Sequence, residues 1–226
     1  MKYSTSVQQK NWQNAAHVFQ ERAAEYDSWY EDSPLFATEL AALQQVTADL
    51  PEPRIEIGAG PGRFAEQLGI TVGIDPAPAA LERGMKRGIM GVVGIGEQLP
   101  IRSESTGTVF LLFTLCFLEN PSPVFQECRR VLIPEGRLVI GMVPGDSSWG
   151  RHLELKKHKG NPYYRYADFQ TIASTLALLD TAGFSLCDSY STLLQSPGGT
   201  ISLEAPQPGS NEQAGFCVLL ANKKKR

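Results

Sequence analysis

The sequence predicts an α/β fold, a mostly parallel sheet with helices on both faces, and three observations carry that expectation. A short apolar run, Ile55-Glu56-Ile57, passes into a loop with glycine at every second position, Gly58, Gly60 and Gly62, and a helix-compatible segment, Phe64-Ala65-Glu66-Gln67-Leu68, follows at once. Apolar runs and helical patterns then alternate up to Ile140, the arrangement of repeated strand-helix-strand units. The run from Val109 to Leu118 is apolar nearly throughout, too short to cross a membrane and bounded by Gly107 and Pro121, as expected of a central strand buried on both faces.

Before the first strand, Trp12, Ala16, Phe19, Ala23, Tyr26 and Tyr30 recur at helical spacing, which predicts an amphipathic helix packed over the core. His17 reads as a solvated residue of that helix. In the glycine loop, the absence of Cβ at Gly58, Gly60 and Gly62 permits φ > 0 and lets a ligand lie against the backbone at a helix N-terminus. Glu56 shares a strand face with Gly58, so its carboxylate is expected to be poorly solvated beneath the loop and in need of a partner. It would repel a pyrophosphate, and Arg63 stands where dinucleotide-binding turns want glycine or alanine. A cationic ligand fits better.

The second strand, Ile70 to Ile74, ends in Asp75-Pro76 and leads to a helix through Leu81, Met85 and Lys86. A carboxylate at that edge can accept hydrogen bonds from both hydroxyls of a ribose, or cap the following helix. The third run, Met90 to Ile101, leaves its strand through Gly94-Ile95-Gly96-Glu97. Only the C-terminal end of the central run, Thr114 to Phe117, is expected at a ligand, because ligands of parallel sheets bind outside the carboxyl ends of strands. Asn120-Pro121-Ser122-Pro123 opens a helix with the stripe Val124, Phe125, Cys128, Val131 and Leu132. The stretch Pro144 to Tyr166 is aromatic and basic and reads as a lid, with the Lys156-Lys157-His158-Lys159 run as a solvated face. Helix resumes near Asp168 with Phe169, Ile172, Leu176 and Leu179 on one face and Gly183 as its end. Phe184 to Tyr190 and Ala214 to Ala221 read as a closing antiparallel pair, joined by a Pro/Gly-rich loop.

With Glu56, Gly58, Gly60 and Gly62 in an acidic-x-G-x-G-x-G pattern, the chain resembles the class I S-adenosylmethionine (SAM)-dependent methyltransferases. Gly94, Glu97, Leu99 and Pro100 match the family's adenine-contacting G-D-A-E-x-L-P-F segment, and Arg129 to Ile140 matches its helix, sharp turn and fifth strand. The resemblance is specific from about Arg54 to Val143. It implies a Rossmann-like fold with strand order 3-2-1-4-5-7-6 and SAM as cofactor. The cofactor-binding residues it implies are Tyr26, Glu56, Gly58, Ala59, Gly60, Gly62, Asp75, Pro76, Ile95, Gly96, Glu97, Thr114 and Leu115. Tyr26-Asp27-Ser28-Trp29-Tyr30 is similar to a Y-D-x-W signature in the quinone-biosynthesis branch, where this segment closes over the cofactor. Two positions depart from the family. Its adenine-binding aspartate is Ile95 here, leaving backbone groups at Gly96 and Glu97 to read the ring edge, and Thr108 stands where many relatives carry aspartate.

At 226 residues the chain is expected to form one domain: a helical cap (1–45), a cofactor-binding core (46–143), a lid insertion (144–168), and a C-terminal helix with the antiparallel pair (169–226). A formal net charge of −3 gives no footprint for nucleic acid or an anionic membrane. Cys116, Cys128, Cys187 and Cys217 are scattered and the histidines lack metal-ligand spacing, so no metal is expected and a reduced cytoplasmic location is the default. No signal peptide is evident, and Lys223 to Arg226 reads as a frayed basic tail.

The expected function is methyl transfer to a small molecule by in-line displacement. Candidate substrate-binding residues are Trp29, Tyr30, Trp149, Arg151 and Tyr164, and the basic and aromatic lid leans towards an anionic or aromatic acceptor. If the acceptor must lose a proton, His152, Tyr163 and Tyr164 are the candidate bases. Two other readings stay open: a non-catalytic cofactor-binding or regulatory protein, encouraged by Ile95 and Thr108, and a nicotinamide-dependent oxidoreductase, disfavoured by Glu56 and Arg63.

Overall fold

The computed structural model describes residues 11–224. Its sheet has eight strands in the order β3-β2-β1-β4-β5-β8-β6-β7. β1 (Arg54–Ile57), β2 (Val72–Asp75), β3 (Met90–Val93), β4 (Thr106–Leu112) and β5 (Leu132–Met142) run parallel to one another. β8 (Phe216–Lys223) pairs antiparallel with both β5 and β6 (Phe184–Thr192), and β7 (Gln207–Pro208) adds a two-residue outer edge. With β8 as the seventh expected strand, the order is the one the sequence predicts. The extra edge arises in the Pro/Gly-rich loop, where two residues offer no alternation to read.

Period-two alternation sorts the core into two layers. Val109, Leu111, Leu138 and Ile140 face the cluster that includes Val124, Phe125 and Cys128 of α6 (Pro121–Val131) and Ile172 and Leu179 of α8 (Ile172–Thr181). Phe110, Leu112, Val139 and Phe216 face the other, with Ala42, Leu43 and Val46 of α3 (Pro34–Thr47) and Phe64 and Ala65 of α4 (Arg63–Gln67). Every residue of β4 is buried, as a central parallel strand requires.

The N-terminal pattern forms two helices rather than one. α1 (Asn11–Glu21) and α2 (Ala23–Ser28) are separated at Arg22, whose φ of −114° and ψ of 24° leave the helical region. α3 follows with Ser33 as its cap, accepting from the Phe36 N–H at 3.2 Å, and Pro34 at its first position. The lid segment is helical too: α7 (Ser148–His158) is capped by Ser147, which accepts from the Gly150 N–H. α8 starts at Ile172 rather than near Asp168, because Thr171 and Ser174 form a reciprocal capping box there. Of the basic tail, Lys225 and Arg226 lie outside the described residues. Lys223 and Lys224 are not frayed: Lys223 Nζ donates to the Leu132 carbonyl at 2.8 Å and Lys224 pairs with Asp180.

Candidate active site

The site forms where β1, β2 and β4 end. β1 neighbours β2 on one side and β4 on the other, so their chain connections diverge and open a crevice. Gly58, Gly60 and Gly62 have φ of 74°, 50° and 72°, a region that side-chain-bearing residues avoid. A Cβ on Gly58 would lie 2.2 Å from Thr114 Oγ1, whereas a Cβ on Gly60 would meet nothing nearer than Tyr26 at 3.8 Å. Gly58 is therefore required by packing against β4, and Gly60 by its backbone conformation over an open space. Gly62 serves as the left-handed cap of α4.

The loop is tied to β2 through Asp75. Its carboxylate accepts from the Gly60 N–H at 2.9 Å and the Ala77 N–H at 2.8 Å. Burial pushes its pKa up to about 6 against the lowering effect of those two bonds. Each carboxylate oxygen keeps a lone pair for a further donor. Glu56 is buried with Oε2 unpartnered, and desolvation, with a contribution from Asp75, holds its pKa well above the usual 4.5. Two acidic groups short of positive charge make this crevice receptive to a cation.

Two larger cavities flank the loop. One, of about 110 Å³, is lined by Gly58, Gly60, Asp75, Pro76, Gly94, Ile95, Gly96, Glu97 and Thr114, and roofed by Trp12, Ala16 and Phe19 of α1. The other, of about 150 Å³, is lined chiefly by aromatic and aliphatic side chains, among them Trp29, Tyr30, Phe36, Leu115, Trp149, Leu153, Tyr163 and Tyr164. Phe19, Tyr26, Phe113 and Phe117 line both, so the cavities share a wall. Ala59 and Glu56 line a small space between the loop and Tyr26.

The comparisons with known proteins agree with this geometry. A family model described as a methyltransferase domain matches residues 55–140. An uncharacterized protein of Mycobacterium tuberculosis is 40% identical over 203 residues, covering 88% of this chain and 71% of that protein. Another from Methanocaldococcus jannaschii is 31% identical over 209 residues, 92% of this chain and 99% of that protein. A crystal structure from Thermotoga maritima, described as a SAM-dependent methyltransferase and possible histamine N-methyltransferase, is 32% identical with a TM-score of 0.84. It covers 93% of this chain and 100% of that one. The chain belongs to the class I SAM-dependent methyltransferases. Its cofactor is S-adenosylmethionine, whose sulfonium and ammonium groups suit the unpartnered Glu56 beneath the loop.

Within this methyltransferase several expected residues stand elsewhere. Leu115 lines the aromatic cavity rather than the one beside Asp75. Arg151 lines neither cavity and turns back to the Asp146 carbonyl. His152 also lines neither, and burial with Lys156 and Lys159 nearby lowers its pKa. Its ring lies towards Gly198. No Lys, Arg or His lines the aromatic cavity among the described residues, which removes the basis for expecting an anionic acceptor. Tyr163 and Tyr164 do line it, but burial raises Tyr163 to about 12 and Tyr164 further, so neither is a base near neutrality. Trp149 is nine-tenths buried, with Nε1 donating to the Gln195 carbonyl at 2.7 Å. Thr108 is at the start of β4, its hydroxyl donating to the Pro51 carbonyl at 2.8 Å, so this departure from the family serves the sheet rather than the site.

Sequence reasoning missed three residues. Asp27 is buried and shared among Arg63 at 2.6 Å, Arg83 at 3.0 Å and Arg87 at 3.0 Å, which anchors α2 to the core. Burial opposes its ionisation, but the hydrogen bonds from Arg63 and Arg87 outweigh it and the pKa is lowered. Phe113 has a φ of 56°, a conformation that turns the chain out of β4 and stacks its ring on Phe216 at 4.9 Å. Nothing in the sequence signals it. Glu39 is the third. It lies inside the apolar stripe of α3, one turn from Leu35, Phe36, Ala42 and Leu43, and a lone acid in such a stripe is a legible signal.

The Glu39 carboxyl lines the aromatic cavity without a hydrogen-bond partner, and burial alone pushes its pKa from 4.5 to about 8. A group whose pKa is raised by folding adds stability that is full below its unfolded pKa and is lost as pH rises through the folded one. The ligand-free protein is therefore expected to lose roughly 4 kcal/mol of this contribution between pH 4.5 and 8. Urea unfolding across that range should show the decline, and Glu39→Gln should flatten most of it.

Proposed function

We propose that this methyltransferase moves the methyl group of SAM to a small-molecule acceptor held in the aromatic cavity, by in-line displacement. The observation that carries the reading is that Phe19, Tyr26, Phe113 and Phe117 border both cavities, which sets the one beside Asp75 directly against the aromatic one. SAM bound along the glycine loop supplies an activated methyl group on a sulfonium. The side chains that would hold it are Asp75 at the ribose, Ile95, Gly96 and Glu97 around the adenine, and Glu56 with Tyr26 at the methionine end. Thr114 supports the loop by donating to the Ile57 carbonyl at 2.9 Å.

On the other side of the wall, a volume of about 150 Å³ suits a ring of benzene's size rather than a polymer. α2, α3 and α7 enclose it, so holding donor and acceptor in contact while excluding water supplies much of the catalysis. The printed description of the Thermotoga maritima structure makes histamine a first acceptor to assay.

Leu153 of α7 borders only the acceptor cavity. Leu153→Trp is expected to lower kcat/KM for the acceptor by roughly tenfold or more by occupying its volume, while calorimetric affinity for S-adenosylhomocysteine stays unchanged. Equal losses of both would argue that the two cavities do not divide donor from acceptor.

A further inference from the structure

We propose that Glu39 is the specificity-determining residue of the acceptor cavity and that the acceptor it selects is a protonated amine on an aromatic or similarly apolar framework. The inference rests on the reading of this cavity as the acceptor site. Its grounds are the chemistry of the lining. The wall is almost wholly aromatic and aliphatic, and among the described residues Glu39 is its one acidic side chain. Glu39 is 7% exposed, and among the described residues its carboxyl accepts no hydrogen bond and has no cation beside it. A buried carboxyl without a partner is a destabilising arrangement, and it persists where a ligand completes it. The missing partner is a donor bearing positive charge, and the aromatic rings of Tyr26, Tyr30 and Trp29 that line the same space suit a cation too.

Glu39 also accounts for the proton that amine methylation must lose. At neutral pH the empty cavity holds Glu39 largely as the neutral acid, its pKa being about 8. An entering ammonium ion stabilises the carboxylate, so binding expels the proton of Glu39 to solvent. Within the pair, one ammonium proton passes to the carboxylate and frees the nitrogen lone pair. The nitrogen forms its bond to the methyl carbon as the carbon–sulfur bonding electrons go to sulfur, giving a methylated ammonium ion and the neutral thioether. The proton left on Glu39 restores the neutral acid that the empty cavity holds, so the one proton expelled on binding is the one that leaves per methyl transferred. The other titratable groups that line the cavity are Tyr26 and Tyr30 from the α2 side, Tyr163 and Tyr164 from the segment after α7 and Cys116 beyond β4, and burial raises the pKa of each far above neutrality. Glu39 is therefore the group that titrates in this cavity between pH 6 and 8.

The test uses two ligands of nearly equal shape, 2-phenylethylamine and 2-phenylethanol, titrated calorimetrically into the full chain saturated with S-adenosylhomocysteine. Measurements at pH 7 in phosphate and in Tris report the proton balance. The wild type is expected to bind the amine at least tenfold more tightly than the alcohol and to release about one proton per amine bound. Affinity for the amine should rise by about tenfold per pH unit from 6 towards 8. Glu39→Gln, which keeps the shape of the side chain, should bind the two ligands alike, release no proton and bind S-adenosylhomocysteine normally. Equal affinity for amine and alcohol in the wild type, or binding of neither, would overturn the proposal. So would an amine preference that survives in Glu39→Gln. A wild type that takes up no S-adenosylhomocysteine would instead overturn the reading of the site on which the proposal stands.

Discussion

Asp75→Ala is expected to weaken S-adenosylhomocysteine binding by about 3 kcal/mol, more than a hundredfold, while the chain stays folded. The effect is large because the carboxylate has two jobs. On the proposed reading it presents acceptors to the ribose, and its bonds to the Gly60 and Ala77 N–H groups fix the glycine loop against β2. On that reading, removing it would delete charge-assisted bonds to the cofactor and loosen the loop proposed to receive the methionine end. The fold should tolerate the change, because the upward shift of the Asp75 pKa shows that burying this carboxylate opposes folding once it is ionised. Titration calorimetry measures the affinity, and thermal unfolding checks the fold. An affinity within threefold of the wild type in a folded variant would remove Asp75 from the ribose.

Asp27→Asn is expected to release the N-terminal cover. Three guanidinium groups converge on Asp27, and their side chains are 19%, 33% and 16% exposed for Arg63, Arg83 and Arg87. Loss of the shared charge leaves them repelling one another at a cost of about 3 kcal/mol. That cost falls on the docking of α2 against α4 and α5 (Pro78–Met85), not on the sheet. Phe19 and Tyr26 should then leave the wall between the cavities, so affinity for S-adenosylhomocysteine and turnover should both fall. Hydrogen exchange should quicken across residues 11–31 and stay unchanged in β4 and β5. Because the Asp27 pKa is depressed, its stabilisation is present above the unfolded carboxyl pKa, near 4, and lost as the pH falls below it. Acid should therefore loosen the wild-type cover towards the behaviour of the variant. Unaltered exchange in residues 11–31 would show that the anchor lies elsewhere.

What was legible in the sequence is what local chemistry decides. Glycine at alternate positions, a carboxylate before them and another ending the next strand can each be read within a few residues, because backbone conformation and strand facing are short-range properties. Asp27 and its partners were not, since Arg63, Arg83 and Arg87 lie 36, 56 and 60 residues away and meet it only when α2 docks. Arg63 was read for what it excludes, a dinucleotide, and its pairing with Asp27 supplies the positive reason for it. The lid misled for a related reason. Helix α7 carries basic residues beside aromatic ones, and the sequence suggested that both meet the ligand. Folding turns Trp149 and Leu153 inward and leaves Arg151 and His152 outside the cavity. That orientation takes away the ground for an anionic acceptor and leaves a cavity whose described lining is an aromatic wall with a single carboxyl.

The most direct test is to follow the methyl group itself. Methyl-labelled SAM would be incubated with the protein and a mixture of aromatic amines including histamine, with unrelated protein and RNA present in the same tube, and the small-molecule, protein and nucleic-acid fractions counted separately. The account predicts label on a small amine, lost with Asp75→Ala and competitively blocked by S-adenosylhomocysteine. Label in the protein or RNA fraction, with none on a small molecule, would contradict it.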